Sequence, residues 1–96
     1  MVNDLSPDDV KDITKKTKLV FIDCWAPWCK PCLALTPILE ELDEKYTDND
    51  DVKFVKINTQ DHRGFAMDNK IVAIPCVLIY HNGEPAKLEV PDPRGG

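Results

Sequence analysis

The run Leu19-Val20-Phe21-Ile22-Asp23-Cys24-Trp25 constrains the fold more than any other stretch, because it is almost wholly apolar, β-branched or aromatic. That composition reads as a central strand buried on both faces, which needs covering layers on each side. Alternation places Leu19, Phe21, Asp23 and Trp25 on one face and Val20, Ile22 and Cys24 on the other. Ala26-Pro27 turns the chain, and Trp28-Cys29-Lys30-Pro31-Cys32 follows. Two thiols at this spacing pass between dithiol and disulfide without rearranging the backbone, which is the chemistry of thiol exchange. Zinc ribbons and iron-sulfur sites use the same spacing, so the pair alone leaves the chemistry open.

At 96 residues, with 43% hydrophobic and 30% charged residues, the chain is expected to form one domain with its own core. No apolar run approaches the roughly 20 residues of a membrane span, so no membrane partner is expected. The start, Met1-Val2-Asn3-Asp4-Leu5-Ser6-Pro7, has neither a basic region nor an apolar stretch of signal length, and a cytoplasmic location is the expectation. In a reducing compartment four cysteines point to catalysis or metal binding rather than a disulfide framework. The net charge of -5, with no basic stripe, argues against nucleic acid as a partner. The closing Arg94-Gly95-Gly96 is a single copy at a chain end and reads as a frayed tail.

Ser6-Pro7-Asp8-Asp9 combines an N-cap serine, proline at the first helical position and acids in the first turn, predicting a helix to about Lys16. Leu35, Ile38, Leu39, Leu42 and Tyr46 recur at helical spacing opposite Glu40, Glu41 and Glu44, predicting a long helix that begins at the cysteine pair. Pro37 is expected to kink it. Residues 52–57 read as a second strand and 61–69 as a weaker helix with Gly64 in its first turn. Cys76 to Tyr80 reads as a further strand, His81-Asn82-Gly83-Glu84 as a hairpin turn, and Ala86, Leu88 and Val90 as a short returning strand. The order is that of an α/β sandwich, with a central sheet of about four strands flanked by helices. Residues 1–90 would form the domain and 91–96 a flexible tail.

Phe21 to Cys32, then Pro37-Ile38-Leu39-Glu40-Glu41-Leu42, Val55-Lys56-Ile57-Asn58, Ile74-Pro75 and Asn82-Gly83-Glu84, together resemble the thioredoxin family in order and spacing across residues 19–90. The resemblance implies the thioredoxin fold and a thiol–disulfide oxidoreductase acting on disulfides of other proteins as a monomer. It needs no bound cofactor, and a separate thioredoxin reductase, a flavoprotein, would recharge it. It makes Cys29 the attacking thiolate at the more exposed edge of the helix start and Cys32 the buried resolving thiol. Asp23 becomes the buried base beneath them, its pKa raised by burial. Ile74-Pro75 becomes the cis-proline loop, and Trp28, Val72, Ala73 and Ile74 with Pro75 an apolar rim for substrate. Lys30, Pro31 and Lys56 are the residues expected to tune the couple.

The chain departs from the family pattern in several places. Lys30 stands where a glycine is common; a cation beside Cys29 favours its thiolate and makes the disulfide more oxidising. Cys76 replaces the threonine after the cis-proline, and Cys24 an aromatic beside the acid. Cys24 reads as a small hydrophobe, whereas Cys76 is a candidate extra thiol, able to exchange with Cys32 or to be modified. Pro91 replaces a glycine of the substrate groove, and 91–96 is too short for the family's closing helix, so one sheet face is expected to be less covered. The rival to redox chemistry is metal binding. Cys24-x4-Cys29-x2-Cys32 with distant Cys76 reproduces a plant-type ferredoxin spacing. A buried strand and an immediate helix do not wrap a cluster or hold zinc, and His62 and His81 read as surface residues. Two further alternatives are a non-catalytic thioredoxin-like binding module, against which the intact Cys29/Cys32 pair, Asp23 and Pro75 together argue, and a disulfide isomerase, which Lys30 favours and a cytosolic start opposes.

Overall fold

The computed structural model describes residues 2–86 and is built on a five-stranded mixed sheet. In chain order the elements are β1 (Asn3–Asp4), α1 (Pro7–Lys16), β2 (Leu19–Trp25), α2 (Lys30–Lys45), β3 (Val52–Asn58), α3 (Arg63–Asp68), β4 (Cys76–His81) and β5 (Glu84–Pro85). The strands lie in the order β1-β3-β2-β4-β5. β1, β3 and β2 run parallel, and β4 and β5 join antiparallel to what precedes them.

Local chemistry accounts for most of these elements. The Ser6 hydroxyl accepts the Asp9 N–H at 3.2 Å, and Pro7 occupies the first helical position of α1, where a missing N–H costs nothing. Asn82 and Gly83 both take positive φ, 53° and 84°, closing the β4–β5 hairpin as the Asn-Gly pair predicts. α2 is one continuous helix through Pro37.

Two expectations are corrected. The sheet has five strands among the described residues rather than about four, because β1 was not anticipated. Two residues are too short for periodicity, and β1 exists only by pairing Asn3 with Val55 and Asp4 with Lys56 on the edge of β3. α3 covers Arg63–Asp68 rather than 61–69, since His62 supplies no side-chain cap. The returning strand is seen as Glu84–Pro85. Leu88, Val90 and the 91–96 tail, with Pro91, lie outside the described residues.

The sheet has apolar material on both faces. On one, Val20, Ile22 and Cys24 of β2 join Val55 and Ile57 of β3 beneath Val10 and Ile13 of α1 and Phe65 of α3. On the other, Phe21 and Phe54 stack with ring centroids 4.9 Å apart beneath Leu35, Leu39 and Leu42 of α2. The in-register pairing of Phe21 with Phe54 and Ile22 with Val55 makes this alternation common to both strands. Burying each of Val20, Ile22 and Ile57 contributes about 1.5–3 kcal/mol, which makes β2–β3 the rigid floor of the molecule. On the α2 side an apolar groove lined by Leu19, Phe21, Leu39, Leu42, Tyr46 and Phe54 remains among the described residues.

Candidate functional site

The C-terminal end of β2 hands over to α2 at the cysteine pair, and Cys29 and Cys32 are joined as a disulfide with Cα atoms 5.3 Å apart. Cys29 is the N-cap of α2, and the Cys32 N–H donates to its Sγ at 3.3 Å. The first helical turn leaves N–H groups without intrahelical partners, and these favour negative charge on a sulfur placed there. In α1 the acids Asp8 and Asp9 occupy the first turn, whereas in α2 no acid does, so this partial positive charge is left to the cysteines. Lys30 opens the helix, and both Lys30 and Pro31 are exposed.

Cys32 is fully buried and Cys29 is 5% exposed. Cys29 is therefore the more accessible thiol, as expected, but by a small margin. It sits under the loop rather than out on an open edge, packed with Cys32, Ala26, Trp25 and Ile74.

Asp23 lies in β2 at 1% exposure, and neither carboxylate oxygen has a hydrogen-bond partner among the described residues. Burial pushes its pKa from 3.8 up to about 6, against the lowering influence of Lys56 and with a smaller upward push from Asp4. The three charges share one face. Lys56 is the register partner of both Asp23 and Asp4, its Nζ stands 4.9 Å from the Trp25 ring centroid, and the Trp25 indole N–H donates to Asp4 Oδ1 at 3.2 Å. Asp4 was missed in the sequence, because its place here depends on a two-residue edge strand. Asp4→Asn is expected to lower the Asp23 pKa and Lys56→Met to raise it, as read by carboxyl-carbon NMR titration of Asp23.

The Ile74-Pro75 bond is cis. The loop before it meets Trp28 across a shallow concavity of about 170 Å³, lined by Trp28, Val72, Ala73 and Ile74, with Thr59, Ala66 and Ile71 completing it. Trp28 is 69% exposed and Val72 98%. Exposed apolar side chains beside a disulfide form a surface against which an extended peptide can lie. Thr59, Ala66 and Ile71 carry no sequence signal for this role, since ordinary packing uses the same residue types.

The metal site does not assemble. Among the described residues no three His, Cys, Asp or Glu side chains converge as a ligand group. Cys29 is bonded to Cys32, while Cys24 and Cys76 belong to the core cluster under α1 and α3.

A two-cysteine disulfide at a helix start, beside a cis-proline loop on a mixed sheet, defines a protein of thiol–disulfide class. The family model described as Thioredoxin matches residues 3–94, and the chain belongs to the thioredoxin family. It is 42% identical over 65 residues to a thioredoxin of Pyropia yezoensis, covering 68% of this chain and 59% of that protein. To the chloroplastic M-type thioredoxin of Spinacia oleracea it is 34% identical over 84 residues, covering 86% of this chain and 45% of that protein. The chain thus spans about half to three fifths of the length of these curated relatives. The solved thioredoxin of Malassezia sympodialis superposes with a TM-score of 0.79 at 30% identity, over 90% of this chain and 77% of that one. Among the described residues no helix is long and apolar enough to cross a membrane.

Proposed function

We propose that this chain is a thiol–disulfide oxidoreductase that reduces disulfides in other proteins through the Cys29/Cys32 couple. The observation that carries the reading is the placement of that pair at the start of α2, Cys29 as its N-cap and Cys32 in the first turn, packed against Ile74 of the cis-proline loop. The Cys29 thiolate attacks a substrate disulfide, forming a Cys29–substrate mixed disulfide and releasing the other substrate sulfur as a thiolate. The Cys32 thiolate then attacks the Cys29 sulfur, forming the intramolecular disulfide and releasing the second substrate thiolate. Asp23 takes the Cys32 proton, a role supported by its raised pKa. Trp28, Val72, Ala73, Ile74 and Pro75 hold the substrate segment.

A thioredoxin reductase, a flavoprotein, returns two electrons to the disulfide. The chain acts as a monomer, and its place is the cytoplasm. Insulin reduction with dithiothreitol as electron source tests the activity: turnover above the dithiothreitol background is expected, and its absence would make the chain a binding module.

Lys30 adds a cation to a turn that already favours thiolate, so it stabilises the reduced form. An exposed ion pair is worth about 0.2–1 kcal/mol, which corresponds to roughly 5–20 mV for a two-electron couple. Lys30→Gly is therefore expected to lower the reduction potential by that amount in equilibration against glutathione. An unchanged potential would reduce Lys30 to a solvated side chain.

A further inference from the structure

The two cysteines outside the Cys29–Cys32 couple are not scattered through the core. Cys24 of β2 and Cys76 of β4 are direct partners in the antiparallel register, and both belong to the cluster under α1 and α3. At the end of the same ladder the Asn82 N–H donates to the Lys18 carbonyl at 2.8 Å. Counting in steps of two from Lys18 and Asn82 makes Cys24 and Cys76 a hydrogen-bonded pair, whose Cα atoms stand about 5.5 Å apart. That is the centre of the range a disulfide spans, roughly 5.5–6 Å. Side chains of directly opposed residues emerge on the same face, with Cβ atoms about 4.5–5.5 Å apart. A disulfide needs Cβ atoms about 3.5–4.5 Å apart, so β4 must draw toward β2 by about 1 Å at this pair, next to the point where β4 begins, before rotation about χ1 brings the sulfurs together.

We propose that Cys24 and Cys76 form a second disulfide-forming pair, oxidised by low-molecular-weight disulfides such as glutathione disulfide, on the face of the sheet away from α2. The two thiols are unequal. Cys76 is half-buried and is the point of entry, whereas Cys24 is fully buried with its thiol directed at the Ile22 carbonyl, Sγ to O 3.8 Å. In the first step the Cys76 thiolate attacks glutathione disulfide, giving a Cys76–glutathione mixed disulfide and one glutathione thiolate. In the second, the Cys24 thiolate displaces the bound glutathione, forming the Cys24–Cys76 bond and releasing a second glutathione thiolate. Two protein thiols are oxidised, one disulfide is reduced, and two protons leave the protein thiols.

Burial first, then the neighbouring Cys76 and Asp23, push the Cys24 thiol up to about 12. The second step is therefore slow at neutral pH and accelerates about tenfold per pH unit toward that value. The pair does not use the Cys29 chemistry, and it joins the strand that carries Asp23 to the strand that follows Pro75.

The test starts from the fully reduced chain, oxidised with glutathione disulfide at pH 7 to 9, quenched with an alkylating agent and mapped by peptide mass spectrometry. The expected result is a Cys24–Cys76 cross-link in addition to Cys29–Cys32, closing about tenfold faster for each pH unit. Cys24→Ser should stop at a Cys76–glutathione adduct. Cys29→Ser/Cys32→Ser, in which Cys24 and Cys76 are the only thiols, should still form the cross-link. The proposal is overturned if Cys76 in the unaltered chain remains a glutathione adduct beside free Cys24 at pH 9. Pairing of Cys76 with Cys29, Cys32 or a second copy of the chain overturns it equally.

Discussion

Cys29→Ser is expected to bring insulin reduction down to the rate of dithiothreitol alone, while Cys32→Ser stops the reaction one step later with substrate covalently attached. A hydroxyl cannot replace the thiolate in forming a mixed disulfide, so the first substitution removes the entry to the cycle rather than weakening it. The second leaves the attacking sulfur at the N-cap of α2 but removes the only thiol in the first turn that can displace the substrate. The measurement is non-reducing electrophoresis and intact mass after mixing each reduced variant with a disulfide-bonded protein. A stable adduct should form with Cys32→Ser and dissolve in dithiothreitol, and none should form with Cys29→Ser. Adducts on Cys29→Ser but not on Cys32→Ser would reverse the assigned roles.

Asp23→Asn is expected to stabilise the oxidised protein by about 3 kcal/mol above pH 6 and to slow release of substrate from Cys29. The buried acid has a folded-state pKa of about 6 against an ordinary value of 3.8. The unfolded chain therefore loses this proton first as pH rises, and the native state is penalised progressively between about pH 4 and pH 6. Each unit of difference is worth about 1.4 kcal/mol, which gives the figure above once the folded group is fully ionised. Below pH 4 the acid is neutral in both states, and the variant and the parent should converge. Urea denaturation at a series of pH values reads the effect directly. Parallel curves from pH 3 to pH 8 would mean that burial of the carboxylate carries no penalty. The same substitution removes the group proposed to take the Cys32 proton, so turnover should fall most near pH 7 and recover as the pH rises and Cys32 ionises without help.

Elements whose instructions lie within a few residues were legible in the chain itself. Ser6 and Pro7 start α1, the apolar run makes β2 a central strand, Asn82-Gly83 closes the hairpin, and the cysteine pair opens α2. The site was legible through these same features, since two of its parts, Asp23 and the Cys29–Cys32 pair, lie within ten residues of each other. What escaped were the parts set by pairing between distant segments. β1 has no pattern of its own and exists because β3 offers an edge. With it came Asp4, and so the second charge acting on Asp23 beside Lys56.

By itself, the sequence determined which segments become helix or strand and that two thiols meet at a helix start, because propensity, capping and i-to-i+3 spacing are short-range effects. Only the tertiary structure decided how deeply Asp23 is buried, that Trp28 faces Val72, and that Cys24 stands opposite Cys76. Desolvation and strand register are properties of what the rest of the chain packs against a residue, and no local run of sequence encodes them.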